Sequence, residues 1–71
     1  MKLLYYPETD SLYIDLSSRE SSSSKEVANG VMLDFDEKGD LVGIDLDHDS
    51  KKLNLTTLET QDFPAGKTKI A

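Results

Sequence analysis

Residues 31–46 read VMLDFDEKGDLVGIDL, and this stretch decides the fold. Apolar residues recur at every second position on both sides of Lys38-Gly39, which is the period of a half-buried strand. The pattern predicts an antiparallel hairpin with a two-residue Lys38-Gly39 loop. That loop places three apolar pairs on one face: Phe35 with Val42, Leu33 with Ile44, and Val31 with Leu46. A register one residue away would send these residues to opposite faces, so hydrophobic matching selects this pairing.

The tip of this hairpin is acidic. Residues 34–39 (DFDEKG) partly match the calcium-loop pattern of alternating acids followed by glycine, which makes Asp34, Asp36 and Asp45 candidate metal ligands. Lys38 stands where that pattern requires an oxygen ligand, and Asp45 stands where it requires a glutamate. Asp34 and Asp45 would also suit acid-base chemistry if they were buried together. A charged hairpin tip that blocks edge-to-edge pairing is the favoured interpretation.

The N-terminal residues predict a second hairpin. Strands over 2–6 and 11–17 flank Pro7-Glu8-Thr9-Asp10, which has the composition of a turn. In the second strand the alternation places Leu12, Ile14 and Leu16 on one face and Tyr13 and Asp15 on the other. The register stays open, because either Ser11 or Leu12 can stand opposite Tyr6.

Residues 18–30 allow two interpretations. The serine-rich stretch 18–24 predicts a mobile connector. Asn29-Gly30 is a hairpin signal, yet a simple hairpin there would put Val27 on the polar side and Glu26 opposite Leu33. We favour one long strand over 25–36 with a bend or bulge at Gly30, because Val27 then stays in phase with Val31 and Leu33.

A short helical segment is expected within residues 49–61. Asp49, Ser50 and Asn54 are candidate N-caps, and Leu53, Leu55 and Leu58 can pack on the apolar side of the sheet. Such a cover is needed because a single sheet must bury its apolar face. Residues 1–62 are predicted to form one domain, followed by a flexible tail over 63–71.

Together these elements predict an α+β fold. It consists of a four-stranded antiparallel β-meander, with strands at 2–6, 11–17, 25–36 and 40–47, and a short C-terminal helical segment packed on one face. The expected core comprises Leu4, Leu12, Ile14, Leu16, Val27, Leu33, Phe35, Val42, Ile44, Leu53 and Leu58.

Composition narrows the range of functions. The chain has 71 residues and no cysteine, so its core is small and has no disulfide support, which favours a homodimer or a protein partner. The net charge of −6, from 14 acidic and 8 basic residues, argues against nucleic acid binding. The sequence contains no apolar run of membrane-spanning length and no signal-peptide pattern, which predicts a cytoplasmic protein.

Three segments, YYPETDSLYIDLS at 5–17, KEVANGVMLDFDEKGDLVGIDL at 25–46 and HDSKKL at 48–53, resemble in order and spacing a family of small prokaryotic proteins, domain of unknown function 2283. The family more often has an aspartate where Tyr6 precedes Pro7. The resemblance implies a small sheet with a helical element, no established activity, no accepted catalytic residues and occurrence mainly in bacteria. Similar proteins are sometimes suspected of acting as antitoxin-like partners of small basic toxins.

We therefore favour a protein-interaction or self-associating module with no cofactor and no catalytic residues. Its candidate interaction residues are Tyr5, Tyr13, Asp15, Asp34 and Asp36. One alternative is a divalent-metal-binding protein or acid-base enzyme that uses the acidic hairpin face. Another is an antitoxin-like partner of a small basic protein, which that acidic face would attract.

Overall fold

The computed structural model describes residues 1–64, apart from the side chains of Asp49 and Ser50. It contains a five-stranded antiparallel sheet with the strand order β1-β2-β5-β4-β3. The elements are β1 (Lys2–Tyr6), β2 (Ser11–Asp15), β3 (Ser23–Ala28), β4 (Val31–Phe35), β5 (Leu41–Leu46) and α1 (Asp49–Lys52). The last strand along the chain therefore lies at the centre of the sheet.

The predicted α+β fold with a four-stranded meander is wrong. The sheet has five strands, and β2 pairs with β5 instead of with the predicted strand over 25–36. The helical segment expected within 49–61 is one four-residue turn, α1, and no helix forms in residues 53–64. Because a single turn is too short to cover a sheet, the fold is a single layer of strands.

The N-terminal hairpin is confirmed, and the structure settles its register. Tyr6 stands opposite Ser11, and the pairing continues without interruption to Lys2 opposite Asp15. The Thr9 amide donates a hydrogen bond of 3.3 Å to the Tyr6 carbonyl within the turn. This register places Leu4 opposite Tyr13, on the polar side of the sheet.

The preferred single strand over 25–36 is also wrong, because Asn29-Gly30 is a hairpin turn that separates β3 from β4. Gly30 adopts φ +76°, a backbone conformation that glycine accepts without strain. A bulge between Glu26 and Ala28 leaves Val27 unpaired and brings Glu26 opposite Met32. The bulge removes the mismatch that argued against the hairpin, since Glu26 no longer faces Leu33.

The central hairpin has a longer loop than predicted. The Asp36 amide donates to the Asp40 carbonyl at 2.9 Å and the Gly39 amide donates to the Asp36 carbonyl at 3.0 Å. With Gly39 at φ +85°, this is a three-residue loop with glycine in the left-handed position. Phe35 therefore pairs with Leu41 instead of Val42.

A bulge at Val42 restores the predicted register in the rest of the hairpin. Leu33 pairs with Ile44 and Val31 pairs with Leu46, as the alternation predicts. The extra loop residue shifts the register by one position, and the bulge shifts it back. The hydrophobic pattern therefore determines the register of the paired strands even though the loop is longer than predicted.

The connection from β2 to β3 crosses one end of the sheet. The Leu16 amide donates to the Val42 carbonyl at 2.9 Å, and the Ser22 amide donates to the Phe35 carbonyl at 2.8 Å. Between these two points the Arg19 guanidinium lies 3.3 Å from the Asp36 carboxylate. Residues 16–22 are thus attached along the crossing, and the last two serines of the predicted connector belong to β3.

The expected core is much less buried than predicted. Among the described residues, Val42, 2% exposed, is the one buried apolar side chain. Four predicted core residues are exposed: Leu4, Val27, Leu53 and Leu58. The other six, Leu12, Ile14, Leu16, Leu33, Phe35 and Ile44, are partly buried. The predicted flexible tail over 63–71 lies mostly outside the described residues, which end at Pro64.

Candidate functional site

One side of the sheet, here called the apolar face, is covered by hydrophobic side chains from four strands. The strand registers place these residues together: Leu3, Tyr5, Leu12, Ile14, Val31, Leu33, Ile44 and Leu46. The two from the edge strand β1 are exposed and the others are partly buried. No helix or strand of the described chain packs over this face. Its side chains therefore remain in contact with solvent.

The opposite side, here called the polar face, carries a hydrogen-bond network that joins three strands. The Tyr13 hydroxyl in β2 donates to Asp34 Oδ2 in β4 at 2.8 Å. The Ser24 hydroxyl in β3 donates to Asp34 Oδ1 at 2.6 Å. Asp34 thus has a partner on each oxygen, and the network links strands that are far apart in sequence.

Gly43 makes this network possible. It lies in β5, between the strands that carry Tyr13 and Asp34. A Cβ atom at this position would overlap the Tyr13 hydroxyl and the adjacent ring carbon. The tyrosine ring therefore lies across the glycine backbone, and a larger residue in β5 would prevent its hydroxyl from reaching Asp34.

The pKa of Tyr13 is raised to about 12, from the ordinary 10.0. Burial is the main cause, followed by the hydrogen bond to Asp34 and the negative charge of Asp34, Asp15 and Asp45. The neutral phenol is therefore favoured in the folded state. Its contribution to stability is complete below pH 10.0 and is lost as the pH rises through about 12.

Burial also raises the pKa of Asp45, and the nearby charges of Asp47 and Asp34 add to this effect. Asp45 stands opposite Tyr13 on one side and Met32 on the other. Because its charged form is disfavoured by the fold, Asp45 weakens the folded state at neutral pH.

Asp36 has a different environment from the polar-face acids. It is 6% exposed, and its Oδ1 accepts hydrogen bonds of 2.9 Å from the amides of Lys38 and Asp40. Its Oδ2 faces Arg19 Nε at 3.3 Å, and a second Arg19 nitrogen lies 3.6 Å from Asp40. Asp36 therefore closes the loop and holds the crossing segment, as aspartates at turns commonly do.

The structure separates the predicted site residues into three groups. It brings Tyr13, Asp15, Asp34 and Asp45 together on the polar face. Asp36 lies at the hairpin tip, and Tyr5 lies on the apolar face, where its hydroxyl donates to Asp10 Oδ1 at 2.6 Å. Among the side chains that the structure describes, no group of three His, Cys, Asp or Glu residues is arranged to hold a metal ion.

Sequence reasoning missed Ser24, Gly43 and Arg19 as parts of these arrangements. Ser24 and Arg19 lie in a stretch without periodicity. Ser24 meets Asp34 through the β3–β4 pairing, and Arg19 meets Asp36 where the connection from β2 to β3 crosses the sheet. Gly43 offered a signal, since a glycine inside a strand often marks a close approach by another group. The group that approaches it is known only once β2 is placed beside β5.

No helix in the described part of the chain is long and apolar enough to cross a membrane. Neither curated proteins nor solved structures give a match to this sequence. A family model described as "Protein of unknown function (DUF2283)" matches residues 2–50. This match covers all five strands, from Lys2 to Leu46. The chain therefore belongs to this family of proteins of unknown function.

Proposed function

We propose that the protein is a self-associating interaction module and that a second copy of the chain covers its apolar face. The main support is the near absence of a core: only Val42 is buried among the described apolar residues. A sheet buries its apolar side against another layer, and this chain supplies none in the part described. Leu53, Leu55 and Leu58 remain exposed, so the residues after α1 do not provide that layer.

The exposed area agrees with a missing layer. The chain exposes 5857 Å², whereas a compact protein of 7.9 kDa exposes roughly 4,400 Å². Part of this difference belongs to the residues after the sheet, where four large apolar side chains are exposed, namely Leu53, Leu55, Leu58 and Phe63. The difference is larger than the roughly 800 Å² that each partner contributes to a standard protein interface, so it leaves room for a face-to-face dimer.

The distribution of charge favours a second copy over a basic partner on this face. Acidic residues of the strands lie on the polar face, namely Asp15, Glu26, Asp34 and Asp45. Lys25, opposite Leu33 in the edge strand β3, is the charged residue that the strand registers place on the apolar face. Two copies with a net charge of −6 can thus stack these faces while their acids point away from each other.

Neighbouring residues of β4 provide a matched test. Val31 lies on the apolar face and Met32 on the polar face. We expect sedimentation equilibrium to give a mass of at least twice 7.9 kDa for the wild type and for Met32→Lys. Val31→Lys should weaken the association at least tenfold, because it places a lysine in the buried interface.

A second measurement covers the case in which Val31→Lys does not fold. If association stabilises the fold, the melting temperature of the wild type rises with protein concentration. A wild-type protein that stays monomeric and melts independently of concentration contradicts the proposal. Equal weakening by Val31→Lys and Met32→Lys contradicts the choice of face.

A further inference from the structure

The two edges of the sheet differ in how they are protected against pairing with another strand. At one edge, β3 contains the bulge at Val27 and carries Lys25 and Glu26. Bulges and charged residues are the usual means by which edge strands avoid further pairing. At the other edge, β1 has no bulge, and its one charged residue is Lys2 at the start of the strand.

Strand β1 is well suited to receive another strand. All five of its residues are exposed, and they read KLLYY. Its pairing with β2 is regular from Lys2 to Tyr6, so its outer backbone groups form a straight row. Tyrosine is enriched in strands because it fits a pleated, partly buried surface, and proline follows only after the strand has ended.

We propose that β1 pairs in antiparallel fashion with β1 of a second copy, so that two sheets join into one. Along β1, every second residue directs its backbone N–H and C=O groups away from β2, and in an antiparallel pair such residues stand opposite each other. The two-fold axis of a symmetric β1–β1 pair therefore passes through a residue position and not between two residues. Full overlap of two five-residue strands then centres the axis on Leu4. Leu4 faces Leu4, Leu3 faces Tyr5, and Lys2 faces Tyr6.

The charges of this edge fit the pairing. The chain carries 14 acidic residues, yet β1 contains none. The two-fold arrangement brings Lys2 of each copy to the end of the other β1, beside the turn that contains Glu8. Lysine and glutamate then approach each other across the joint, while like charges stay apart.

This interface can form without the face-to-face one, because edge pairing joins backbone groups, and the residue at its axis, Leu4, lies on the polar face. The axis of the edge pair is normal to the sheet and the axis of the face pair is parallel to it. When both interfaces form and these two axes intersect, the assembly contains four copies. Tetramers with such symmetry are the commonest homo-oligomers after simple dimers. The edge interface therefore joins two face-to-face dimers into a tetramer, and the face interface covers the hydrophobic side of each sheet.

The test compares the two edges. Leu4→Lys places two like charges opposite each other at the axis, whereas Val27→Lys makes the same change at an exposed bulge on the other edge. By sedimentation equilibrium we expect four copies for the wild type and Val27→Lys, and two copies for Leu4→Lys. The circular dichroism spectrum of β structure should be the same in all three.

A cysteine version covers the case in which Leu4→Lys does not fold. The natural chain has no cysteine, so Leu4→Cys introduces one thiol at the axis. Mild oxidation should yield a covalent dimer of Leu4→Cys at least tenfold faster than of Val27→Cys, because directly opposed residues lie within disulfide reach.

The outcomes separate the two proposals. An assembly that keeps its mass in Leu4→Lys, together with equal cross-linking of the two cysteine variants, overturns the edge pairing and leaves the face-to-face dimer standing. A wild-type protein of two copies that Leu4→Lys, but not Val31→Lys, dissociates supports the edge and contradicts the face. A monomeric wild type contradicts both.

Discussion

The two faces of the sheet satisfy their side chains in different ways. The polar face is complete within one chain, because Asp34 accepts hydrogen bonds from Tyr13 and Ser24 across three strands. The apolar face differs, because hydrophobic side chains are removed from water only beneath another layer. The described part of the chain supplies no such layer. In the proposed assembly, the acid at the centre of the polar face is satisfied within one chain, and a second copy covers the apolar face.

The largest expected effect comes from the centre of the apolar face. Ile44 lies in the central strand between Leu33 and Ile14. We expect Ile44→Ala to lower the free energy of unfolding by about 2 to 5 kcal/mol, the cost of a cavity once a second copy covers this face as proposed. Urea unfolding at a fixed protein concentration measures it.

Met32→Ala is the control, because Met32 lies exposed on the polar face. Its substitution should change stability by about 0.5 kcal/mol or less, as for most surface positions. Similar losses for the two variants would mean that the apolar face is no better covered than the polar face.

The apolar face could largely be predicted from the sequence, and the reason is physical. Alternation identifies which residues share a side, and a slip of one residue would expose all of them. The pairs Leu33 with Ile44 and Val31 with Leu46 follow from this rule. The rule does not include bulges, and each bulge shifts the alternation of side chains between the two faces by one residue. For this reason the predicted burial of Val27 and the predicted pairing of Phe35 with Val42 are wrong.

The second-largest expected effect comes from the polar network, at the contact between the Tyr13 ring and Gly43. Gly43→Ala places a methyl group where the Tyr13 hydroxyl lies, so the ring must move away from Asp34. We expect a loss of about 1 to 3 kcal/mol, typical of overpacking. The pKa of Tyr13, measured by ultraviolet titration, should fall from about 12 toward 10.0.

Tyr13→Val supplies the control for this clash. In that background the added methyl group meets no tyrosine ring, so Gly43→Ala should cost much less than in the wild type. A cost that is unchanged in the Tyr13→Val background would place the effect of Gly43→Ala in the β5 backbone instead of in the tyrosine contact.

The polar network could not be predicted from the sequence because it depends on strand order. Tyr13 is 21 residues from Asp34, and the two meet because β5 inserts beside β2 with only a glycine between them. Local periodicity gives the face of each residue but not the neighbouring strand. The expected meander placed β2 beside the wrong strand, which hid both Gly43 and the crossing segment held by Arg19.

The smallest expected effect has the opposite sign and sharpens the contrast between the faces. The pKa of Asp45 is raised in the folded state, so protonation of this carboxyl favours folding. The stabilisation by the bound proton is complete below the unfolded pKa of 3.8 and is lost as the pH rises through the folded pKa. Asp45→Asn removes the charge and should therefore make the protein more stable at pH 7. The gain should shrink as the pH approaches 3.8.

Urea unfolding of Asp45→Asn at neutral and acid pH measures this gain, and Glu59→Gln in the exposed segment after α1 is the charge-matched control. If Glu59→Gln stabilises the protein equally, the gain reflects the net charge of −6 and not the burial of Asp45. If only Asp45→Asn does so, the polar face retains a carboxylate that opposes folding. Each face would then lower the stability of the folded single chain, the apolar face through its uncovered hydrophobic area and the polar face through a partly buried charge.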